Sequence, residues 1–125
     1  VILGTGIDII EVERVLAAYQ RFGERFVGRI LRPTELAYCF SHKAPGPFLA
    51  ARFAGKEAVS KAFGTGIGAH LGWQDIEICR KKSGEPYVTL HDKGIILLDS
   101  RGAKLVHLSL SHTEKHATAI AILES

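Results

Sequence analysis

Cysteine is scarce in this chain. Cys39 and Cys79 are the only two, and neither belongs to a Cys-x-x-Cys pair. Both read as ordinary thiols of a reducing compartment, with a bridge between them left open. No His-x-x-x-His or His-Glu-x-x-His spacing occurs, so a zinc site is not indicated. There is no apolar run of about 18 residues, which argues against a membrane span. The opening VILGTGIDII has no basic region and carries Asp8 within its apolar stretch, so it does not read as a signal peptide. A cytoplasmic protein is the expectation. Charge of one sign is also in short supply. Sixteen basic residues face 13 acidic ones, a net +3. That mild excess favours anionic partners without demanding nucleic acid. The one glycine-rich turn, GTGIG at 64–68, lacks the GxxxxGK spacing of a P-loop and follows a helix instead of preceding one. A repeated GTGI, at 4–7 and 64–67, is too short to argue a duplication.

What is present fits one globular domain. At 125 residues and 46% hydrophobic content, the chain can bury roughly two-thirds of its unfolded surface. Its organising stretch is Phe48–Gly68. Leu49, Phe53, Ala54, Ala58, Ala62 and Phe63 recur at helical spacing. Pro45 and Pro47 stand where a helix starts, and Gly64 where it stops. On this helix Glu57 and Lys61 are four apart and share a face; Arg52 and Lys56 form a second such pair. Such pairs ordinarily just support a helix, by about 0.2–0.5 kcal/mol. Here three cations surround one acid on an alanine-rich helix that runs straight into GTGIG. Gly64, Gly66 and Gly68 free the backbone for close approach to a ligand, and nearby lysines suit phosphate oxygens.

The rest of the chain reads in order. Val1–Ile10 is a strand weakened by Gly4 and Gly6. Asp8 lies inside it and must be paired, protonated or bound to a metal; capping the next helix is the ordinary alternative. Glu11–Leu31 is helical, with Gly23 as a break, and carries an apolar stripe of Val15, Tyr19, Phe22, Phe26 and Ile30. Beside it runs a basic stripe, Arg14, Arg21, Arg25 and Arg29, either a solvated face or a dock for an acidic helix or phosphate backbone. Pro33 and Thr34 open a third helix, with Thr34 as its cap. Ser41–Pro47, which holds Lys43, is a loop. Gln74–Arg80 and Pro86–Leu90 form a hairpin; Asp92–Arg101 is helical; Leu105–Ser111 and Thr118–Leu123 are the last strands. His112 ends the penultimate strand. Ser111 beside it points to the opposite face, which argues against a serine–histidine pair. An Asp, a Glu, several cations, a glycine turn and a histidine together suit Mg²⁺-assisted chemistry at a phosphate or pyrophosphate.

GIDIIEVER at 6–14, FAGKEAVSKAFGTGIG at 53–68, DIEI at 75–78 and HLSLSHT at 107–113 strongly resemble the holo-[acyl-carrier-protein] synthase family. These are the short 4′-phosphopantetheinyl transferases of bacterial fatty-acid synthesis. The resemblance covers nearly the whole chain in order. It implies transfer of 4′-phosphopantetheine from coenzyme A to a serine of apo acyl-carrier protein, dependent on Mg²⁺ and releasing adenosine 3′,5′-bisphosphate. By the same resemblance the metal ligands fall on Asp8 and Glu57, and the catalytic residues on Glu57, Lys61 and His112. Coenzyme A contacts fall on Lys43, Arg52, Lys61, Gly64, Gly66 and His112. Carrier-protein docking falls on Arg14, Arg21, Arg25, Phe26 and Arg29. Two positions depart from the family pattern. Gly55 stands where the helix carries alanine or another small residue, and Ala44 where some members carry a basic residue that reaches the 3′-phosphate.

The expected fold is α+β: one domain over residues 1–125, with a mostly antiparallel sheet of about five strands packed against a long central helix. The resemblance further implies a homotrimer with active sites between subunits, and neither nucleic acid nor membrane as a partner. The other reading is a non-catalytic nucleic-acid-binding module that uses the arginine stripe, although no surface aromatics interleave with it. A nucleotide pyrophosphatase with the same metal site is a further alternative.

Overall fold

The computed structural model describes residues 1–125. Strand β1 (Ile2–Glu11) leads into helices α1 (Val12–Phe22), α2 (Glu24–Ile30) and α3 (Pro33–Phe40), then the long α4 (Gly46–Ala62). A 3-10 turn at Trp73–Asp75 precedes the hairpin β2 (Ile76–Arg80) and β3 (Pro86–Leu90). Helix α5 (Lys93–Ser100) and strands β4 (Leu105–His112) and β5 (His116–Glu124) complete the chain. The five expected strands are all antiparallel and divide into a three-stranded sheet, ordered β1-β5-β4, and the separate β2–β3 pair. Helix α4 covers one face of the larger sheet. No helix is long and apolar enough to cross a membrane, and both cysteines are free.

The inner face of the sheet is set by alternation. Ala117, Ala119, Ala121 and Leu123 of β5 are buried beneath α4, whose own Ala54, Ala58, Val59 and Ala62 complete that layer. The register aligns Asp8 with Ala119 and His112 with Ala117, which puts both side chains on this helix-facing side. The opposite face of the sheet leaves Ile7, Ile9 and Ile120 exposed. Gly23 separates α1 from α2, as its position in the sequence suggested. Two expectations are corrected. Position 32, not Thr34, precedes the first turn of α3, because Pro33 takes the first helical place; Arg32 N–H donates to Glu35 Oε1 at 2.8 Å. Phe22 leaves the apolar stripe and is 57% exposed, with the Arg21 guanidinium over its ring.

Lys56 is not a site cation. It is fully buried and donates to Glu35 Oε1 at 2.7 Å, to Ile30 O at 2.6 Å and to Trp73 O at 3.1 Å. Glu35, equally buried, also accepts the Ile78 N–H on Oε2. One ion pair thus ties α2, α3, α4, the 3-10 turn and β2 together. Burial pushes the Lys56 ammonium toward losing its proton, and the Glu35 carboxylate opposes that. Removing one partner strands the other charge. Lys56→Met is therefore expected to lower stability by about 3–5 kcal/mol. Adding Glu35→Gln to that variant should recover part of the loss, since the leftover charge is then gone. Urea unfolding of the three proteins measures both effects; a Lys56→Met midpoint equal to wild type contradicts the assignment.

Candidate functional site

Helix α4 and strand β1 bring three charged side chains together. Glu57 and Lys61 lie one turn apart on α4. Lys61 reaches across to β1, where its Nζ donates to Ile7 O at 2.9 Å and to Asp8 Oδ1 at 3.1 Å. The Asp8 side chain is 17% exposed and that of Lys61 48%, so the group opens to solvent on one side. Glu57 is half-buried, and its carboxyl holds its proton more tightly than usual. Burial is the main cause; the charge of nearby Asp8 adds to it, and Lys61 opposes it. Two neighbouring carboxylates with one lysine between them leave negative charge uncompensated. No further His, Cys, Asp or Glu joins them. An all-oxygen pair of this kind fits Mg²⁺, which keeps several waters and takes substrate oxygens for the rest.

The turn after α4 is built as its sequence suggests. Gly64 and Gly66 have φ of 81° and 66°, where side-chain-bearing residues are strained. The Gly64 N–H donates to Lys61 O, and those of Thr65 and Gly66 to Ser60 O, so the turn closes the helix beside Lys61. Arg101, which sequence reasoning passed over, holds the turn by donating to Phe63 O and, at 3.2 Å, to Leu3 O.

Arg52 and His112 sit elsewhere. They share a pocket of about 300 Å³ with Tyr38, His42, Phe48 and Arg80. His42 stacks on Phe48 at 3.6 Å between ring centroids, and His112 meets the edge of Phe48 at 5.0 Å. Arg52 is 4% exposed, lies over the Tyr38 ring, and its Nε has no hydrogen-bond partner. Lys43 is exposed in the loop before α4, beside His42. Across the sheet, Asp8 and His112 are two strands and two residues apart, ~12 Å between Cα atoms from standard strand spacings. Within one chain the acidic cluster and the arginine–histidine pocket are thus separate.

The basic stripe resolves into a groove of about 560 Å³ lined by Arg21, Phe22, Arg25, Phe26 and Arg29. Arg14 is exposed on α1 outside it. Phe22 was missed because its spacing matched the apolar stripe. Tyr38 and Arg80 were missed because they lie 42 residues apart and meet only in the fold. Nothing local in the sequence signals that meeting.

Residues 4–121 match the family described as the 4′-phosphopantetheinyl transferase superfamily. The chain is 48% identical over 123 residues to the holo-[acyl-carrier-protein] synthase of Koribacter versatilis, covering 98% of each. The crystal structure of the synthase from Neisseria meningitidis superposes with a TM-score of 0.93 at 35% identity, over all of both chains. That of the Helicobacter pylori synthase in complex with coenzyme A gives 0.86 at 32%, covering 96% of this chain and 99% of the other.

The raised proton affinity of Glu57 fixes the sign of a pH effect. The folded state holds this proton more tightly than the unfolded one. Its contribution to stability is therefore fully present below the ordinary carboxylate range and is lost as pH rises through the folded value. In the presence of a chelator, Glu57→Gln should raise the thermal midpoint relative to wild type at pH 8, with the gap closing by pH 4. Thermal unfolding at both pH values checks this; a gap that widens on acidification contradicts it.

Proposed function

The chain belongs to the 4′-phosphopantetheinyl transferase superfamily, and we propose that it moves 4′-phosphopantetheine from coenzyme A to a serine of apo acyl-carrier protein. The convergence of Asp8, Glu57 and Lys61 at the end of α4 carries this reading. Adenosine 3′,5′-bisphosphate is the second product. Asp8 and Glu57 would hold Mg²⁺, which when bound would supply charge neutralisation and Lewis-acid polarisation of the pyrophosphate. The carrier serine hydroxyl attacks the β-phosphorus of coenzyme A, and the bond from that phosphorus to the bridging oxygen breaks. The Lys61 ammonium donates to the phosphate oxygens as their charge grows. Glu57 is the carboxylate placed to take the serine proton through a water.

Coenzyme A is long, and one small domain offers little concave surface to bury it. Lys43, Arg52 and His112 take its nucleotide end, while Lys61 and the Gly64–Gly66 turn take the pyrophosphate. Because the two clusters of one chain lie apart, His112 and Arg52 serve the acidic cluster of a neighbouring subunit. The exposed isoleucines of the outer sheet face, at 65% for Ile7, 69% for Ile9 and 42% for Ile120, form the kind of apolar patch that subunit contacts cover. A homotrimer is the assembly we infer. Arg21, Arg25 and Arg29, with Phe22 and Phe26 between them, suit an acidic amphipathic helix of the carrier protein; Arg14 extends that surface toward β1. No comparison favours the nucleic-acid-binding alternative.

Mass spectrometry of apo carrier protein incubated with coenzyme A and Mg²⁺ tests the reading. Wild type should add one phosphopantetheine, and Asp8→Ala and Glu57→Ala should each lose at least about 100-fold in rate while staying folded. Near-normal transfer by either variant at limiting Mg²⁺ contradicts the metal assignment; hydrolysis of coenzyme A without carrier protein points to the pyrophosphatase alternative.

A further inference from the structure

The pocket around Arg52 holds more positive charge than its protein neighbours use. Arg52 lies 4.2 Å from the centroid of the Tyr38 ring, and Arg80 lies 4.7 Å from the same centroid. Arg80 comes from the end of β2, donates to the Tyr38 hydroxyl, and is steadied by Nε donating to Gly84 O at 3.3 Å. A Cβ at Gly84 would stand 2.8 Å from the Arg80 guanidinium, so the glycine leaves the hairpin room for this arrangement. No carboxylate lines the pocket; its other polar residues are His42, His112 and Tyr38. Glu35, whose charge reaches Arg52, accepts hydrogen bonds from Lys56 and from the Ile78 N–H instead. Burial desolvates Arg52 and favours loss of its charge; Glu35 opposes this, and the neighbouring Arg80 charge adds to it. The buried, unpartnered Nε of Arg52 leaves a donor unused. Forked donors converging on one opening match the oxygens of a phosphomonoester dianion.

We propose that Arg80 is a specificity-determining residue that, with Arg52 in the same pocket, grips the terminal 3′-phosphate of coenzyme A and so selects it over 3′-dephospho-coenzyme A. This rests on the functional reading above and adds a residue to it. The pyrophosphate is assigned to the Lys61 cluster, so the 3′-phosphate is the remaining dianion for this pocket. Ala44 supplies no charge, and in this chain the hairpin arginine does.

The test compares transfer from coenzyme A and from 3′-dephospho-coenzyme A. Wild type should prefer the former by roughly 100-fold in kcat/KM. Arg80→Met should cut that preference to roughly tenfold or less by raising KM for coenzyme A, with kcat and the dephospho substrate unchanged. Arg80→Lys, which keeps charge but loses the fork, should fall between. Calorimetry provides a readout apart from turnover: Arg80→Met should weaken adenosine 3′,5′-bisphosphate binding and leave adenosine 5′-phosphate binding alone. A preference that survives both substitutions, or an equal loss for both substrates, overturns the role of Arg80 while leaving the transferase reading intact. Wild type that transfers from neither substrate overturns that reading and this inference with it.

Discussion

The site depends on how closely helix α4 can lie against strand β1. A Cβ built on Gly6 would stand 1.9 Å from the Ala58 carbonyl oxygen, and one on Gly4 would stand 2.1 Å from that of Ala62. Backbone oxygens cannot yield as a side-chain tip can, so any side chain at either position would lift the helix off the strand. The small residues facing the glycines, Ala58 and Ala62, meet the same requirement from the other side. Asp8 is the next inner-face residue after Gly6, and Glu57 and Lys61 flank Ala58 in sequence. Close contact thus becomes a meeting of two carboxylates and an ammonium. The glycines that weaken β1 as a strand are what bring its aspartate within reach of the helix.

The two lysines of α4 differ in burial and in the role we propose for each. Lys56 is wholly buried, anchored by a carboxylate and two backbone carbonyls, and none of its donors faces solvent. Lys61, five residues on, is half-exposed, and its ammonium hydrogen-bonds to β1. The first fixes α4 against α2, α3 and the hairpin side; the second projects from the frame so fixed. A helix held on both sides keeps Glu57 and Lys61 at a constant distance from Asp8, as a preorganised site requires.

Much of this was legible in the sequence because it depends on periodicity. The elements, the break at Gly23, the hairpin between β2 and β3 and the core face of α4 all follow from local spacing. That Glu57 and Lys61 share a face follows from one helical turn. Asp8 drew notice because a carboxylate in an apolar strand needs a partner. What escaped depends on contacts distant in sequence. Four-residue spacing places Lys56 on a face but cannot reveal that Glu35, 21 residues earlier, waits there. Phe22 keeps the helical rhythm of a core residue, yet the chain turns at Gly23 and leaves it outside. Tyr38 and Arg80 carry no motif at all; the fold alone makes them neighbours.

One chain therefore presents two separate clusters on a single helix-facing sheet surface, an acidic one at β1 and an arginine–histidine pocket at β4. The central claim is that a working site joins the first from one subunit to the second from its neighbour. Subunit complementation tests it most directly. Asp8→Ala and His112→Ala proteins, each expected to lose most of its activity alone, are mixed under conditions of verified exchange, and phosphopantetheine transfer is measured. The account predicts that activity returns, because mixed assemblies contain some junctions where both halves are intact. Full exchange with no recovered activity would contradict it and place the whole reaction within a single chain.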